Sequence, residues 1–202
     1  MHELILASQS PRRRHILMDR GYKFRTFPIE VSEIPDKNLN VMEQISDLAR
    51  QKAKAARDEL KLLESKDILI LSADTVVLFE GEILGKPKNL ENAVDMLGRM
   101  SGLKHQVVTG FCLWDLGPDR FILGQEVSNV VFRALTKEEI VEYVNTGEPM
   151  DKAGSYGIQG KGRLLVESFQ GCFDNIVGLP IDNIEKVIQE NGWNLRKESG
   201  KN

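Results

Sequence analysis

Leu4-Ile5-Leu6-Ala7 runs directly into Ser8-Gln9-Ser10-Pro11-Arg12-Arg13-Arg14. A short, wholly apolar run bounded by polar residues reads as a strand buried on both faces, and such a strand needs helices layered over its sheet. Ser10 as N-cap, Pro11 at the first helical position and Gly21 just past the end predict a helix from Pro11 to about Arg20. Strand, tight turn and helix start within the first 21 residues direct the chain to an α/β fold.

The remaining punctuation extends that pattern. Phe24 to Ile29 reads as a second strand. Apolar residues from Val41 to about Leu63 follow the helical period behind Asn40 as cap. Ile68 to Leu71 is a short apolar strand, and Thr75 to Phe79 with Ile83 and Leu84 reads as a hairpin turning at Glu80-Gly81-Glu82. A helix from Leu90 to Met100 is followed by long strands, His105 to Leu116 and Phe121 to Ala134. Thr136 and Glu139 form a capping box for a helix that stops at Gly147. Glycine makes Gly154 to Gly162 a loop. Leu164 to Phe169 and Ile176 to Val177 read as strands, and Ile181 to Glu190 as the last helix.

The chain has 202 residues, 41% of them hydrophobic and 28% charged. At that length a fold buries roughly 70% of the unfolded surface and needs no disulfide or metal staple. Cys112 and Cys172 form no metal-ligand spacing, and so few cysteines suit a reducing compartment. The run at Leu4 is too short for a signal-peptide core, and no apolar stretch approaches the roughly 18 residues of a membrane span. The expectation is a cytoplasmic protein without a membrane partner.

Net charge is -3, which gives no bulk reason to hold nucleic acid stably. Residues 1–25 carry six Lys or Arg against two acids, +4, leaving -7 for the rest. A local basic cluster on an acidic chain suits a small anionic ligand.

Three groups of residues carry candidate chemistry. The first amides of a helix attract phosphate, Ser8 and Ser10 add hydroxyls, and Arg12 and Arg13 can grip phosphate oxygens in bidentate fashion. The same residues also suit a plain helix cap with a solvated arginine face. Asp74 follows the apolar strand Ile68 to Leu71, where a carboxylate could ligate Mg²⁺, activate water, or simply bond a turn. Glu33 is a second candidate carboxylate or a solvated loop acid, and Lys52 a helical lysine. Lys86, between Gly85 and Pro87, can point at phosphate. In the glycine-rich Glu148 to Gly160 segment, Gln159 has both the donor and the acceptor needed to read a base edge. Walker and dinucleotide glycine patterns are absent, and His2, His15 and His105 suggest no triad.

Together these residues resemble the Maf family of nucleoside triphosphate pyrophosphatases. The matching motifs are L-A-S-x-S-P-R-R at Leu6 to Arg13, A-D-T at Ala73 to Thr75, and G-K-P at Gly85 to Pro87. They continue with E-P-x-D-K-A-G-x-Y-G-I-Q-G at Glu148 to Gly160 and V-G-L-P at Val177 to Pro180. Ser155 stands where alanine is expected.

The resemblance implies one Maf-like domain over residues 1–202. It would have a mixed, strongly curved central sheet with flanking helices in two lobes, no separable linker, a cleft between them, and a likeness to inosine triphosphatase. It implies hydrolysis of a nucleoside triphosphate to the monophosphate and pyrophosphate with a divalent metal, Mg²⁺, Mn²⁺ or Co²⁺. Asp74, Glu33, Lys52, Lys86 and Arg13 would be catalytic, with Glu33 and Asp74 as metal ligands and Ser8, Ser10, Arg12, Thr75 and Gln159 binding substrate. Arg12, Thr75 and Gln159 match the dTTP/UTP subgroup, with modified pyrimidine nucleotides as further substrates. The alternatives are 7-methyl-GTP hydrolysis in the same family and a non-catalytic nucleotide-binding protein of cell-division control. A homodimer is also implied.

Overall fold

The computed structural model describes residues 1–31, 36, 38–60 and 67–197. Seven strands form one mixed sheet: β1 (Glu3–Leu6), β2 (Phe24–Thr26), β3 (Ile68–Phe79), β4 (Glu82–Leu84), β5 (Lys104–Asp115), β6 (Arg120–Phe132) and β7 (Val166–Gln170). Six α-helices accompany them among the described residues: α1 (Pro11–Asp19), α2 (Val41–Leu60), α3 (Leu90–Met100), α4 (Lys137–Val144), α5 (Phe173–Val177) and α6 (Ile181–Glu190). The strand order is β2-β1-β3-β5-β6-β7, with β4 paired to β3. β1 lies parallel to β2 and β3, while the β3/β4 and β6/β7 pairs are antiparallel. The expected mixed α/β architecture therefore forms.

Several boundaries differ from expectation. The two strands expected at Ile68 to Leu71 and Thr75 to Phe79 are one 12-residue strand. It pairs with β1 through Leu71 and with β4 from Val77. The polar Ser72 inside it does not break it, because its hydroxyl donates to the Ala49 carbonyl at 2.6 Å. β2 stops at Thr26 rather than Ile29, because β1 ends at Leu6 and the Phe27 N–H to Leu6 carbonyl bond is the last it can make. Ile176 and Val177 end a helix rather than forming a strand. Asn175 is fixed there, donating to the Val107 carbonyl and the Ser128 hydroxyl. The strand expected at Leu164 begins at Val166, after a 3-10 turn from Gly160 to Leu165. The expected end of the second helix, residues 61–63, lies outside the described residues.

The chain divides into two compact units. Unit 1 comprises residues 1–74, 109–126 and 178–202. Its core joins Ile5 and Ala7 to Ile68, Ile70, Cys112, Trp114 and Leu116, covered by Ala49, Ala53, Ala56 and Leu60 of α2. Alanines give α2 a thin face, so its backbone can lie close to the sheet. Gly110 of β5 shows how close: a Cβ there would stand 2.7 Å from the Ile45 carbonyl oxygen. α2 starts cleanly because Asn40 accepts the Glu43 N–H while Glu43 accepts the Asn40 N–H, a reciprocal cap. Trp193 donates to the buried Asp115 at 2.8 Å, and Trp114 to Asp119 at 3.0 Å. Burial pushes the Cys112 thiol up to about 12, which leaves it a small apolar filler.

Unit 2 comprises residues 75–108 and 127–177. α3 and α4 pack together, and the Thr136/Glu139 capping box opens α4 as expected. In the same unit His105 meets Phe132 and Tyr156 edge to face, at centroid separations of 4.7 and 5.3 Å. The His105 Nε2 lies 2.8 Å from the Tyr156 hydroxyl, and burial pushes the imidazole down to about 4. His105 is a core residue. Among the described residues no helix is long and apolar enough to cross a membrane.

Candidate active site

The turn between β1 and α1 is built around one hydroxyl. Ser8 Oγ accepts the Ser10 N–H at 3.2 Å and Arg13 Nη1 at 3.2 Å. Arg13 Nε donates to the Gly178 carbonyl at 2.8 Å, so the guanidinium is held from two sides. Ser10 occupies the N-cap position with extended backbone, but its hydroxyl makes no cap hydrogen bond. The cap is thus weaker than expected. Ser8 spends both lone pairs within the turn and retains only its own hydrogen for a ligand. Half-buried Arg12 shares the first turn of α1. Ser8, Ser10, Arg12 and Arg13 are gathered at one helix start, an arrangement chemically able to bind phosphate oxygens.

Asp74 stands inside β3, not in a turn, three residues beyond the last β1 pairing. β1 has ended there, so the position is still the carboxyl end of the parallel β1/β3 pair, where α/β sheets place their ligands. Only 8% of Asp74 is exposed. Lys52 Nζ donates to Asp74 Oδ1 at 2.5 Å. That pairing follows from the alanine face of α2: Ala49 and Ala53 seat the helix on the sheet, and Lys52 beside them reaches the carboxylate. Both partners are largely removed from water, so losing either one leaves a poorly solvated charge. Such an arrangement can orient a water and take its proton.

Thr75, Lys86 and Gln159 belong to unit 2. Lys86 is exposed just after β4, and its neighbour Gly85 accepts the Gly154 N–H at 3.0 Å, tying two of the sequence motifs together. Gln159 is exposed, with no side-chain cap bond to the turn it precedes. Ser155, the departure from the family pattern, is buried with φ 63° and donates to the Met96 sulfur at 3.1 Å. Glu33 lies outside the described residues.

Among the described residues no group of three or more His, Cys, Asp or Glu is placed to hold a metal ion. A Mg²⁺-type ion needs no such cage, since it uses one or two carboxylates with water and phosphate oxygens. Asp74 is a carboxylate of the type such an ion takes. A hollow lined by Arg14, Met18, Tyr22, Lys23, Phe24 and Thr26 contains none of the predicted residues.

Two contributors escape sequence reasoning. The Gly178 carbonyl anchors Arg13 across 165 positions, and only the V-G-L-P motif hints that it matters. The Glu148 carboxylate accepts from Tyr143 and from the amides of Lys161 and Gly162. Its place in the motif signals importance but no role.

The profile described as Maf-like protein matches residues 3–191. The chain is 47% identical to a dTTP/UTP pyrophosphatase of Bdellovibrio bacteriovorus, over 93% of this chain and 97% of the relative. A protein of that name from Caldicellulosiruptor bescii is 44% identical, over 98% of each chain. Another from Aquifex aeolicus is 42% identical, over 93% of this chain and 94% of the relative.

Proposed function

The chain belongs to the Maf family, and we propose that it is a nucleoside triphosphate pyrophosphatase that hydrolyses dTTP and UTP to the monophosphate and pyrophosphate. The observation that carries this reading is the Lys52–Asp74 pair, a carboxylate held for proton transfer beside a core-packed helix. The relatives' names and the matching Arg12, Thr75 and Gln159 support the choice of substrate.

In this reading water attacks the α-phosphorus and gives its proton to Asp74. Lys52, donating to Oδ1, supports this role by holding the carboxylate in place. The bond from the α-phosphorus to the bridging oxygen breaks, and pyrophosphate leaves with the electron pair. Arg13, aimed by Ser8 and Gly178, and Lys86 neutralise the charge that grows on the leaving group. Arg12 and Gln159 bind the pyrimidine edge, and Ser8, Ser10 and Thr75 orient the triphosphate. Asp74 with Glu33 would hold a divalent cation, which supplies charge neutralisation at the phosphoryl oxygens when bound. The reading includes a homodimer in the cytoplasm that acts on free nucleotides, and the net charge of -3 supports only the preference for a free nucleotide over a long nucleic acid.

The test is product analysis with dTTP, UTP and 7-methyl-GTP at several divalent cations, alongside Asp74→Asn. The expected result is monophosphate and pyrophosphate from the two pyrimidines, with kcat in the variant lower by about 10³-fold. Preference for 7-methyl-GTP, or near-normal turnover by Asp74→Asn, overturns it.

A further inference from the structure

The loop that bears Gln159 is closed at its mouth by polar contacts. The Gly157 N–H donates to the Tyr143 hydroxyl at 3.3 Å, and that hydroxyl donates to Glu148 Oε1 at 3.1 Å. Glu148 Oε1 also accepts the Gly162 N–H, and Oε2 the Lys161 N–H, each at 3.1 Å. One carboxylate and one phenol thus pin both ends of residues 157–162. The ends touch: a Cβ at Gly162 would stand 2.2 Å from the Gly157 carbonyl oxygen. The Lys152 stem runs beneath Gly157, and its ammonium donates to the Glu148 carbonyl at 2.6 Å. Inside the loop, Ile158 is buried while Gln159 is exposed. Gly160 follows with φ 70°, and a Cβ there would stand 3.0 Å from Glu148 Oε2.

We infer that Glu148 is a positioning residue whose carboxylate sets the place of Gln159 and, through it, the discrimination among nucleotide bases. This rests on the role proposed above for Gln159. Three donors converge on two anionic oxygens, and charge-assisted bonds of this kind fix a backbone more firmly than neutral ones. Glutamine is no substitute, because its amide nitrogen would turn a donor against one of those donors. The base-reading side chain projects between two clamped amide groups, so slack in the clamp becomes displacement of the Gln159 amide.

The experiment is a cycle of Glu148→Gln, Gln159→Ala and the double variant, comparing kcat and KM for dTTP and dCTP. Cytosine reverses the hydrogen-bonding sense of the base edge at N3 and at position 4. Glu148→Gln is expected to raise KM for dTTP more than it lowers kcat. It should also narrow the dTTP/dCTP preference by about tenfold, short of the roughly hundredfold an ångström of misplacement can cost. In the Gln159→Ala background the same change should add almost nothing. Amide exchange at Lys161 and Gly162 should quicken in Glu148→Gln while amides of α2 keep their protection, which a general loss of fold would not produce. Unchanged selectivity in Glu148→Gln, or an additive effect in the double variant, overturns the inference. If the wild-type chain hydrolyses neither nucleotide, or Gln159→Ala keeps the full preference, the proposed role of Gln159 falls and this inference with it.

Discussion

Asp74 and Gln159 are held by opposite means. Asp74 sits in a strand, paired with a lysine from a helix that alanines and Gly110 let close to the sheet. Its position is a by-product of apolar packing, which cannot shift in small steps. Gln159 sits in a loop of glycines, held by polar contacts to Glu148 and Tyr143. Proton transfer tolerates little displacement, so core packing suits it, whereas a polar clamp can be altered without opening the core.

The contrast can be broken first at the ion pair. Lys52→Met should lower kcat by at least about 10²-fold and destabilise the fold, because Asp74 is left largely buried without its cation. Combining it with Asp74→Asn should restore most of the stability and none of the activity. Denaturant melts and single-turnover rates read the two effects separately. If Lys52→Met alone is fully stable, the pair is not what fixes the carboxylate.

Acid should act on the other unit. His105 stays neutral in the folded state down to about 4, whereas its ordinary value is 6.5. The unfolded chain therefore takes up a proton that the native core refuses, and stability falls as pH drops from 6.5 towards 4. The full cost is about 3 kcal/mol. Urea titrations across that range should show the slope, and His105→Phe should flatten it. Amide exchange at pH 5 should quicken around Tyr156 before it does in α2.

Gly110→Ala tests packing directly. The added methyl meets backbone of α2, so that helix must move, at a cost of about 1–3 kcal/mol. Turnover should fall with stability, since α2 carries Lys52. The smallest effect belongs to Thr136→Ala, which removes the capping box of α4 and costs about 1 kcal/mol. Its melting point should drop by about 2–4 °C. Because α4 carries Tyr143, KM should respond more than kcat.

Local signals were the legible ones. The entry of β1 into α1, the Asn40 and Thr136 caps and the apolar period of α2 are contacts between residues close in sequence, and the structure has all of them. Ser72-Ala73-Asp74 reads as a gap between two strands because its polar residues find their partners in another element: Ser72 at Ala49, Asp74 at Lys52. Ile176-Val177 reads as a strand because an apolar pair has no period, and Asn175, which settles the matter, reaches Val107 and Ser128 far away in sequence. The alliances of Arg13 with Gly178 and of Glu148 with Gly162 were invisible for the same reason. Residue types named the chemistry, but long-range hydrogen bonds decide which groups are aimed and which do the aiming.

Trp114 and Trp193, the chain's two tryptophans, both belong to unit 1, each tied to an aspartate. Tyr143 and Tyr156 belong to unit 2 and are buried there. Indole emission therefore watches the half that holds Asp74, and phenol absorbance follows chiefly the half that holds Gln159. The protein carries its own two-colour optical assay, with no label attached, for whether its two halves melt, tighten or answer a nucleotide together.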